Sequence, residues 1–109
     1  MTEVTYNLTI SPHVLKNVVE YQSGSIVSRE LIKTTKTTIT AFAFAKGQGL
    51  SEHTTPFTAF AQILDGEAII SVDEKKYEVN EGQVLILPAN TPHALQAAKQ
   101  FKMLLTMAR

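Results

Sequence analysis

The chain has 109 residues with 10 basic and 10 acidic side chains, so it can bury one hydrophobic core and has no net charge with which to gather nucleic acid. It has no cysteine for a disulfide or a thiolate site, no apolar run of the roughly 18 residues that cross a membrane, and no signal-peptide pattern at its start. We therefore expect one cytoplasmic domain, residues 1–109, with neither nucleic acid nor a membrane as a partner.

The first third of the chain predicts short, irregular elements. Residues 1–10 alternate loosely between apolar and polar side chains, which is compatible with a short edge strand. Ser11-Pro12 is a helix-start signal, and one or two helical turns after it would place four apolar side chains on one face. The four apolar side chains of this predicted helical turn are Val14, Leu15, Val18 and Val19.

Residues 26–33 have apolar and polar side chains mixed on each face, which indicates a strand at a sheet edge.

The middle of the chain predicts long strands. Residues 34–46 are rich in Thr and then alternate Ala with Phe, which favours a strand with Ile39 and the alanines on one face and Phe42 and Phe44 on the other. We expect the threonine-rich part to be an exposed strand rather than a binding surface. The run from residue 59 to 72 is apolar, and Asp65-Gly66 within it indicates a bulge or bend.

The last third alternates turns with apolar strands. A charged turn at residues 73–76 precedes a return strand, and a strand at residues 84–87 is closed by Pro88, which lacks an amide hydrogen. Residues 101–107 are apolar almost throughout, so we expect them to be buried on both faces or covered by a neighbouring subunit. Strands at this spacing, separated by Gly, Asn and Asp turns, are typical of an all-β sandwich or barrel.

Two stretches of this pattern carry a resemblance. Residues 47–66 contain Gly47, His53 and Gly66 at the spacing of the first motif of the cupin superfamily, G-x5-H-x-H-x3-E-x6-G. Residues 82–97 resemble the second motif, G-x5-P-x-G-x2-H-x3-N, through Gly82, Pro88 and His93. The remaining motif positions hold Thr55 for the second His, Ala59 for the Glu, Asn90 for a turn Gly and Ala97 for the Asn.

The whole chain resembles small single-domain bacterial cupins. This resemblance implies an all-β, RmlC-like double-stranded β-helix, or jelly roll, with a short helical turn near the N-terminus. It also implies that His53, Thr55, Ala59 and His93 line one mouth of the barrel, and the parity of residues 53, 55 and 59 agrees with a shared face if that segment is extended. In a complete cupin site three His and a Glu hold a divalent ion, and here two of those four ligands remain, His53 and His93.

The chemistry of this set leaves several functions open. Two neutral imidazoles can bind a transition metal such as Fe, Mn, Ni or Zn, but Ala59 removes the carboxylate and Glu52 has the wrong parity to replace it. His13 is a third metal ligand only if the N-terminal segment crosses the opening. Without a metal, His53 or His93 could act as a general base, and these two are the candidate catalytic residues.

Three functions are compatible with these residues. The favoured one is binding of a small polar metabolite in the barrel mouth, with His53, Thr55, Ala59 and His93 as the ligand pocket. The first alternative is a metal-dependent enzyme, an oxygenase or isomerase of small oxo-acids or sugars that uses His53 and His93. The second is a dimeric scaffold whose pocket is filled by side chains. Apolar strand surface in excess of what a small barrel buries predicts a homodimer, as does the resemblance.

Overall fold

A computed structural model of the protein describes residues 3–108. These residues form nine strands and one turn of 3₁₀ helix, and the prediction of an all-β fold with a short N-terminal helical turn is confirmed. The helical turn is Leu15–Asn17. The strands are β1 (Thr5–Tyr6), β2 (Ile26–Lys33), β3 (Thr37–Phe44), β4 (Gly49–His53), β5 (Thr58–Val72), β6 (Lys75–Asn80), β7 (Val84–Leu87), β8 (His93–Gln96) and β9 (Phe101–Ala108).

The strands pair antiparallel in two sheets that share β5. In sheet A the order is β1, β2, β3, β9, the first half of β5, and β7. In sheet B it is β4, β8, the second half of β5, and β6. Because one 15-residue strand passes from one sheet to the other, the two sheets face each other and enclose a single core.

The passage of β5 between the sheets is made at Asp65-Gly66. The register against β9 shifts between Ile63 and Asp65, which bends the strand at the position predicted from the sequence. Gly66 has a φ of +75°, and a Cβ at this position would fall well inside van der Waals contact with the carbonyl oxygen of Gln100. Glycine is therefore required here both for the backbone conformation and for the close approach of the next chain segment.

The barrel interior is filled by the inward faces of both sheets. The rings of Phe44 and Phe101 are fully buried and stack with centroids 4.5 Å apart. Ile63, Ile70 and Met103 are also almost fully buried around them. The prediction that Phe42 and Phe44 share a face opposite the alanines of β3 agrees with this core, since Ala41 and Ala43 pack in a separate cluster on the outside of sheet A.

That outer cluster is closed by residues 7–21, which we call the strap. Val18 and Val19 of the strap are buried against Leu31, Ala41 and Ala43 on the outer face of sheet A. The strap thus forms a second, smaller apolar layer over part of that face.

Two cations fix the strap to sheet A through its backbone. Arg29 donates hydrogen bonds to the carbonyl oxygens of Val18 (3.0 Å) and Asn7 (2.8 Å). The buried Nζ of Lys102 donates to the carbonyl oxygen of Lys16 at 2.7 Å, 4.9 Å from the centroid of the Tyr21 ring. These bonds satisfy carbonyl groups in a segment with little secondary structure of its own.

Tyr21 ties the end of the strap to the bend in β5. Its hydroxyl donates a 2.6 Å hydrogen bond to a carboxylate oxygen of Asp65. Burial raises the pKa of Tyr21 above its usual range, and the hydrogen bond to Asp65 raises it further. The phenol therefore stays protonated and keeps donating throughout the physiological pH range.

Several details of the predicted elements are wrong in the N-terminal third. The helix begins at Leu15 rather than directly after Ser11-Pro12, and Val14 is 61% exposed instead of sharing the buried face with Val18 and Val19. A single 3₁₀ turn cannot place all four predicted residues on one face. The predicted first strand shortens to Thr5–Tyr6, and its first two residues lie outside the described range.

Later in the chain, the predicted turn at residues 73–76 contracts to Asp73 and Glu74, which both have positive φ, and β6 begins at Lys75. β9 is buried only from Phe101 to Met103. Its remaining side chains are half-buried or exposed, so burial on both faces is not complete.

Replacing Gly66 with Ala should destabilise the protein far more than the same change at Gly24. Both residues have positive φ, of +75° and +70°, but a Cβ at Gly24 meets nothing within 4 Å. Gly24→Ala should therefore cost about 1 kcal/mol, and Gly66→Ala at least twice as much because β5 must also move away from Gln100. Thermal denaturation followed by circular dichroism measures the difference, and equal melting temperatures in the two variants would contradict this role for Gly66.

Candidate functional site

The candidate site contains a pair of histidines on neighbouring strands of sheet B. His53 is the last residue of β4, His93 is the first residue of β8, and the two are directly opposite in the antiparallel register. Their rings meet edge to face, with centroids 4.4 Å apart and an interplanar angle of 69°. His93 is buried at 7% exposure, whereas His53 is exposed. One imidazole thus forms part of the barrel wall and the other is open to solvent.

A β-bulge brings the two rings together. Leu50 of β4 lies opposite Leu95 of β8, and His53 lies opposite His93. Between these two pairs the chain advances three residues along β4 but only two residues along β8. An unbroken register would have placed Glu52 opposite His93. The extra residue in β4 therefore turns the His53 ring, rather than a carboxylate, towards His93.

Hydrogen bonds to the backbone determine which ring nitrogen is available in each histidine. Nδ1 of His53 lies 2.7 Å from the carbonyl oxygen of Ser51, and Nδ1 of His93 lies 3.2 Å from that of Thr91. A carbonyl oxygen only accepts hydrogen bonds, so each Nδ1 must carry the proton. In the neutral ring Nε2 is then unprotonated, and the pair offers two neighbouring nitrogen acceptors.

The electrostatic environment keeps His93 neutral. Burial lowers its pKa below the ordinary value of 6.5, and the neighbouring His53 lowers it further, while the hydrogen bond to Thr91 acts in the opposite direction. Placing a charge on a buried imidazole with a second imidazole at its edge costs free energy. Nε2 of His93 is therefore an acceptor near neutral pH.

The histidine pair lies at the end of the barrel that we call the mouth. It is bounded by the loops at residues 54–57 and 88–92, which join the two sheets at that end, and by the turn at residues 73 and 74 between β5 and β6. The loops are tied together by the amide of Asn90, which donates to the carbonyl of Thr55 at 2.7 Å, and by the amide of Asp73, which donates to that of Pro92 at 2.9 Å. Asn90 has a φ of 57°, the left-handed conformation expected at this motif position.

Across the mouth, sheet A presents a row of inward-facing residues to the histidine pair. Register places Thr38 opposite Met107, Met107 opposite Ala59, and Ala59 opposite Leu87. Ala59 is 5% exposed and belongs to the core cluster, so its methyl group forms part of an apolar wall. Half-buried apolar side chains pack against the same core cluster: Phe42, Val72, Leu85 and Leu105, together with Met107 of the row.

Thr38 is the polar member of that wall and was not predicted. Its side chain is 7% exposed, which corrects the expectation that the threonine-rich strand is merely an exposed surface. Among the described residues its hydroxyl has no hydrogen-bond partner. Counting back by twos from Phe44 and Phe42 reaches Thr40 and Thr38, so the alternation in the sequence contained the signal.

Thr55 is placed differently from the expectation of a shared extended face. β4 ends at His53, and Thr55 lies in the loop that follows. Its hydroxyl bonds to the carbonyl of Phe57 at 3.1 Å and accepts from the Phe57 amide at 3.4 Å. The Thr55 side chain is therefore engaged in shaping its own loop.

The donor set of the mouth does not fit a resident transition metal. Within residues 3–108 there is no group of three or more His, Cys, Asp or Glu side chains that could hold an ion. Structural sites use four protein ligands and catalytic zinc sites three, whereas the mouth offers two imidazoles. His13 belongs to the strap and bonds to Thr9 at 3.1 Å, and Glu52 is exposed beyond the bulge.

A groove of about 490 Å³ lies on the other face of sheet B and includes neither histidine. Ser71, Ala94 and Gln96 line it, because they alternate with residues that face the barrel interior. We place the candidate site in the mouth, since the two histidines contact each other there and the buried Thr38 lies on sheet A at the same end of the barrel.

Comparison with known proteins agrees with this architecture. The family model for the cupin domain matches residues 41–108. The chain belongs to the cupin family. This cupin resembles a conserved protein of unknown function from Streptococcus pyogenes, with 33% identity, a TM-score of 0.86, and coverage of 96% of this chain and 95% of that one. No match was found among curated proteins.

Two further solved structures are similar to this cupin. A cupin superfamily protein from Desulfitobacterium hafniense is 28% identical, with a TM-score of 0.89 and 97% coverage of both chains. A cupin 2 conserved barrel domain protein from Leptotrichia buccalis is 42% identical, with a TM-score of 0.84, over 86% of this chain but 46% of that one. The predicted resemblance and cupin barrel are thus confirmed. Across residues 3–108, no helix is long and apolar enough to cross a membrane.

The lowered pKa of His93 predicts that the protein loses stability in mild acid. The unfolded chain takes up a proton on His93 as the pH falls through about 6.5, but the folded protein resists it. The contribution of His93 to stability is therefore complete above that pH and declines below it. Melting temperatures of the wild type should fall more between about pH 7.5 and pH 5.5 than those of His93→Gln. Parallel pH profiles for the two proteins would contradict the assignment.

Proposed function

We propose that this cupin binds a small, neutral polyhydroxy metabolite in the barrel mouth, between the histidine pair and Thr38. The observation that carries this proposal is the pair of Nδ1 hydrogen bonds, which leaves two adjacent Nε2 acceptors. A ligand that complements two neighbouring acceptors needs two neighbouring donors, and adjacent hydroxyl groups supply them.

The rest of the mouth supports the same class of ligand. The Thr38 hydroxyl, on the opposite wall, can donate to or accept from a further hydroxyl group. Half-buried Met107, Leu105 and Val72 offer apolar surface to the C–H groups of such a compound. Binding sites for small molecules are commonly built in this way, with mostly apolar walls and a few oriented polar groups.

A carboxylate ligand fits the mouth less well at neutral pH. A carboxylate has no proton to donate, so it would face the lone pairs of two neutral imidazoles. It could bind the pair only after protonation of a ring, and burial opposes protonation of His93. The pH dependence of binding therefore separates the two ligand classes with opposite signs.

Titration with a panel of simple sugars and polyols, each matched to a carboxylic acid of similar size, tests the proposal. At least one polyhydroxy compound should bind near pH 7.5, and its affinity should fall once the pH is low enough to protonate the buried His93, because Nε2 of that ring then becomes a donor. Isothermal calorimetry or shifts in amide resonances measure the binding. Stronger binding in acid, or binding of the carboxylates alone, would contradict the proposed ligand class.

Variants should locate the binding in the mouth. His93→Ala and Thr38→Val each remove one hydrogen-bonding group, and each should weaken the binding by roughly 5-fold to 100-fold. His13→Ala is the matched control, because His13 is an exposed histidine on the strap. Equal affinities in the three variants would place the ligand elsewhere.

A metal-dependent activity is the competing function, and thermal denaturation of the wild type and of His53→Ala in the presence of metal ions tests for it. An ion that binds the pair should raise the melting temperature of the wild type and leave that of His53→Ala unchanged. At 100 times its dissociation constant the ion would add about 2.7 kcal/mol. Such a shift with any of Fe, Mn, Ni or Zn, together with no binding of hydroxyl compounds, would replace our proposal with the metal-dependent one.

A further inference from the structure

The groove on the outer face of sheet B is separate from the mouth. In the register of the sheet, Lys76 of β6 lies opposite Ser71 of β5, and Ser71 lies opposite Ala94 of β8. In the next row on the same face, Ile69 lies opposite Gln96. Side chains alternate between the two faces of a strand, so the thickness of sheet B separates this groove from the histidine pair. The outer groove, as we call it, has a volume of about 490 Å³ and is lined by all five of these residues.

The floor of the outer groove consists of small and aliphatic side chains. Ser71 and Ala94 lie on the two inner strands of sheet B, and both are half-buried, as is the neighbouring Ile69. At the border towards β4, the side chain of Gln96 lies beside Gly49. A Cβ on Gly49 would lie 3.0 Å from Oε1 of Gln96, so the lack of a side chain there leaves room for the Gln96 amide.

Four polar side chains also line the outer groove. They are the hydroxyl groups of Ser51 and Ser71, the amide of Gln96 and the ammonium group of Lys76. Among the described residues, none of these four groups has a hydrogen-bond or ion-pair partner. Lys76 is the one charged residue of the described lining, and Glu78, on the same face of β6, does not line the groove. The outer groove therefore presents one cation and several hydrogen-bond donors to a molecule that approaches from solvent.

We propose that the outer groove binds a small aromatic carboxylate, in a second site that is independent of the mouth. The carboxylate oxygens accept hydrogen bonds from Nζ of Lys76 and from the hydroxyl group of Ser71, which are neighbours in the register. The planar ring lies on the face of the sheet over Ile69 and Ala94. The amide of Gln96, at the far border, binds a polar substituent of the ring.

The lining favours this class of ligand over its two separate parts. Inorganic phosphate would pair with Lys76 but would leave the aliphatic surface of Ile69 and Ala94 in water. An uncharged aromatic compound would cover that surface but would provide no anion for Lys76. Small-molecule sites commonly have volumes of about 300 to 1,000 Å³ and mostly apolar walls with a few polar groups, and the outer groove meets both conditions.

Titration with benzoate tests the proposal, with benzyl alcohol and inorganic phosphate as probes that each lack one part of it. In ¹H–¹⁵N correlation spectra, benzoate should shift the amide resonances of Gly49, Ser71 and Lys76 and reach saturation. Benzyl alcohol and phosphate should each bind at least about fivefold more weakly, because each makes only some of the contacts. Absence of saturable benzoate binding, or tighter binding of phosphate than of benzoate, would overturn the proposal.

Two lysine variants locate the binding by a matched comparison. Lys76→Gln should weaken benzoate binding roughly fivefold to tenfold, because it removes the cation from the groove. Lys75→Gln removes the same charge from the adjacent residue, whose side chain lies on the opposite face of β6 with its Nζ 5.4 Å from the centroid of the Tyr77 ring. Since salt screens charges outside the groove, Lys75→Gln should change the affinity by less than about twofold. Equal losses in the two variants would reduce the effect to general charge attraction and overturn the site.

Two further variants separate the outer groove from the mouth. Ala94→Leu places a larger side chain on the groove floor and should abolish benzoate binding, and the exposed Lys76 decides the outcome if Ala94→Leu does not fold. His93→Ala changes the opposite face of β8, so it should retain the benzoate affinity of the wild type. Loss of benzoate binding in His93→Ala, with retention in Lys76→Gln, would place the carboxylate in the mouth and overturn the second site.

Discussion

The architecture depends on one strand that belongs to both sheets. β5 pairs with β7 and β9 before its bend and with β6 and β8 after it. The bend is possible because Gly66 takes a positive φ and lets the chain near Gln100 approach without a Cβ in the way. Since β5 positions both β7 and β8, the two loops that carry the sequence motifs end at the same mouth. The strap secures the outer side of the bend through Tyr21 and Asp65.

Within that architecture the candidate site depends on smaller local features. The bulge in β4 puts His53 opposite His93, and the carbonyl groups of Ser51 and Thr91 hold the proton of each ring on Nδ1. The buried Ala59 supplies a methyl group where a carboxylate ligand would complete the metal site of the family. Within residues 3–108 the two imidazoles therefore have no third metal-ligating side chain beside them, and Thr38 is the buried polar residue of the opposite sheet at this end.

The fold was largely predictable because its signals are local in sequence. The spacing of Gly47, His53 and Gly66 indicates the first motif, and Asp65-Gly66 marks the bend of β5. The site was less predictable, since it depends on which strands are neighbours. Thr38 becomes a mouth residue only because β3 pairs with β9, and the path of the strap is set by Arg29 and Lys102, which are distant in sequence. The bulge in β4 that places His53 rather than Glu52 opposite His93 likewise has no sequence signal of its own.

The proposed ligand class depends on both histidines presenting an unprotonated Nε2 to the mouth. Long-range ¹H–¹⁵N NMR correlation spectra of the imidazole rings report which nitrogen carries the proton, and single His→Gln variants assign the signals. Near pH 7.5 we expect the hydrogen-bonded Nδ1 to carry a proton in both rings, and His93 to be neutral. A proton on Nε2 in either ring, or a doubly protonated His93, would contradict the arrangement from which the proposed ligand class is derived.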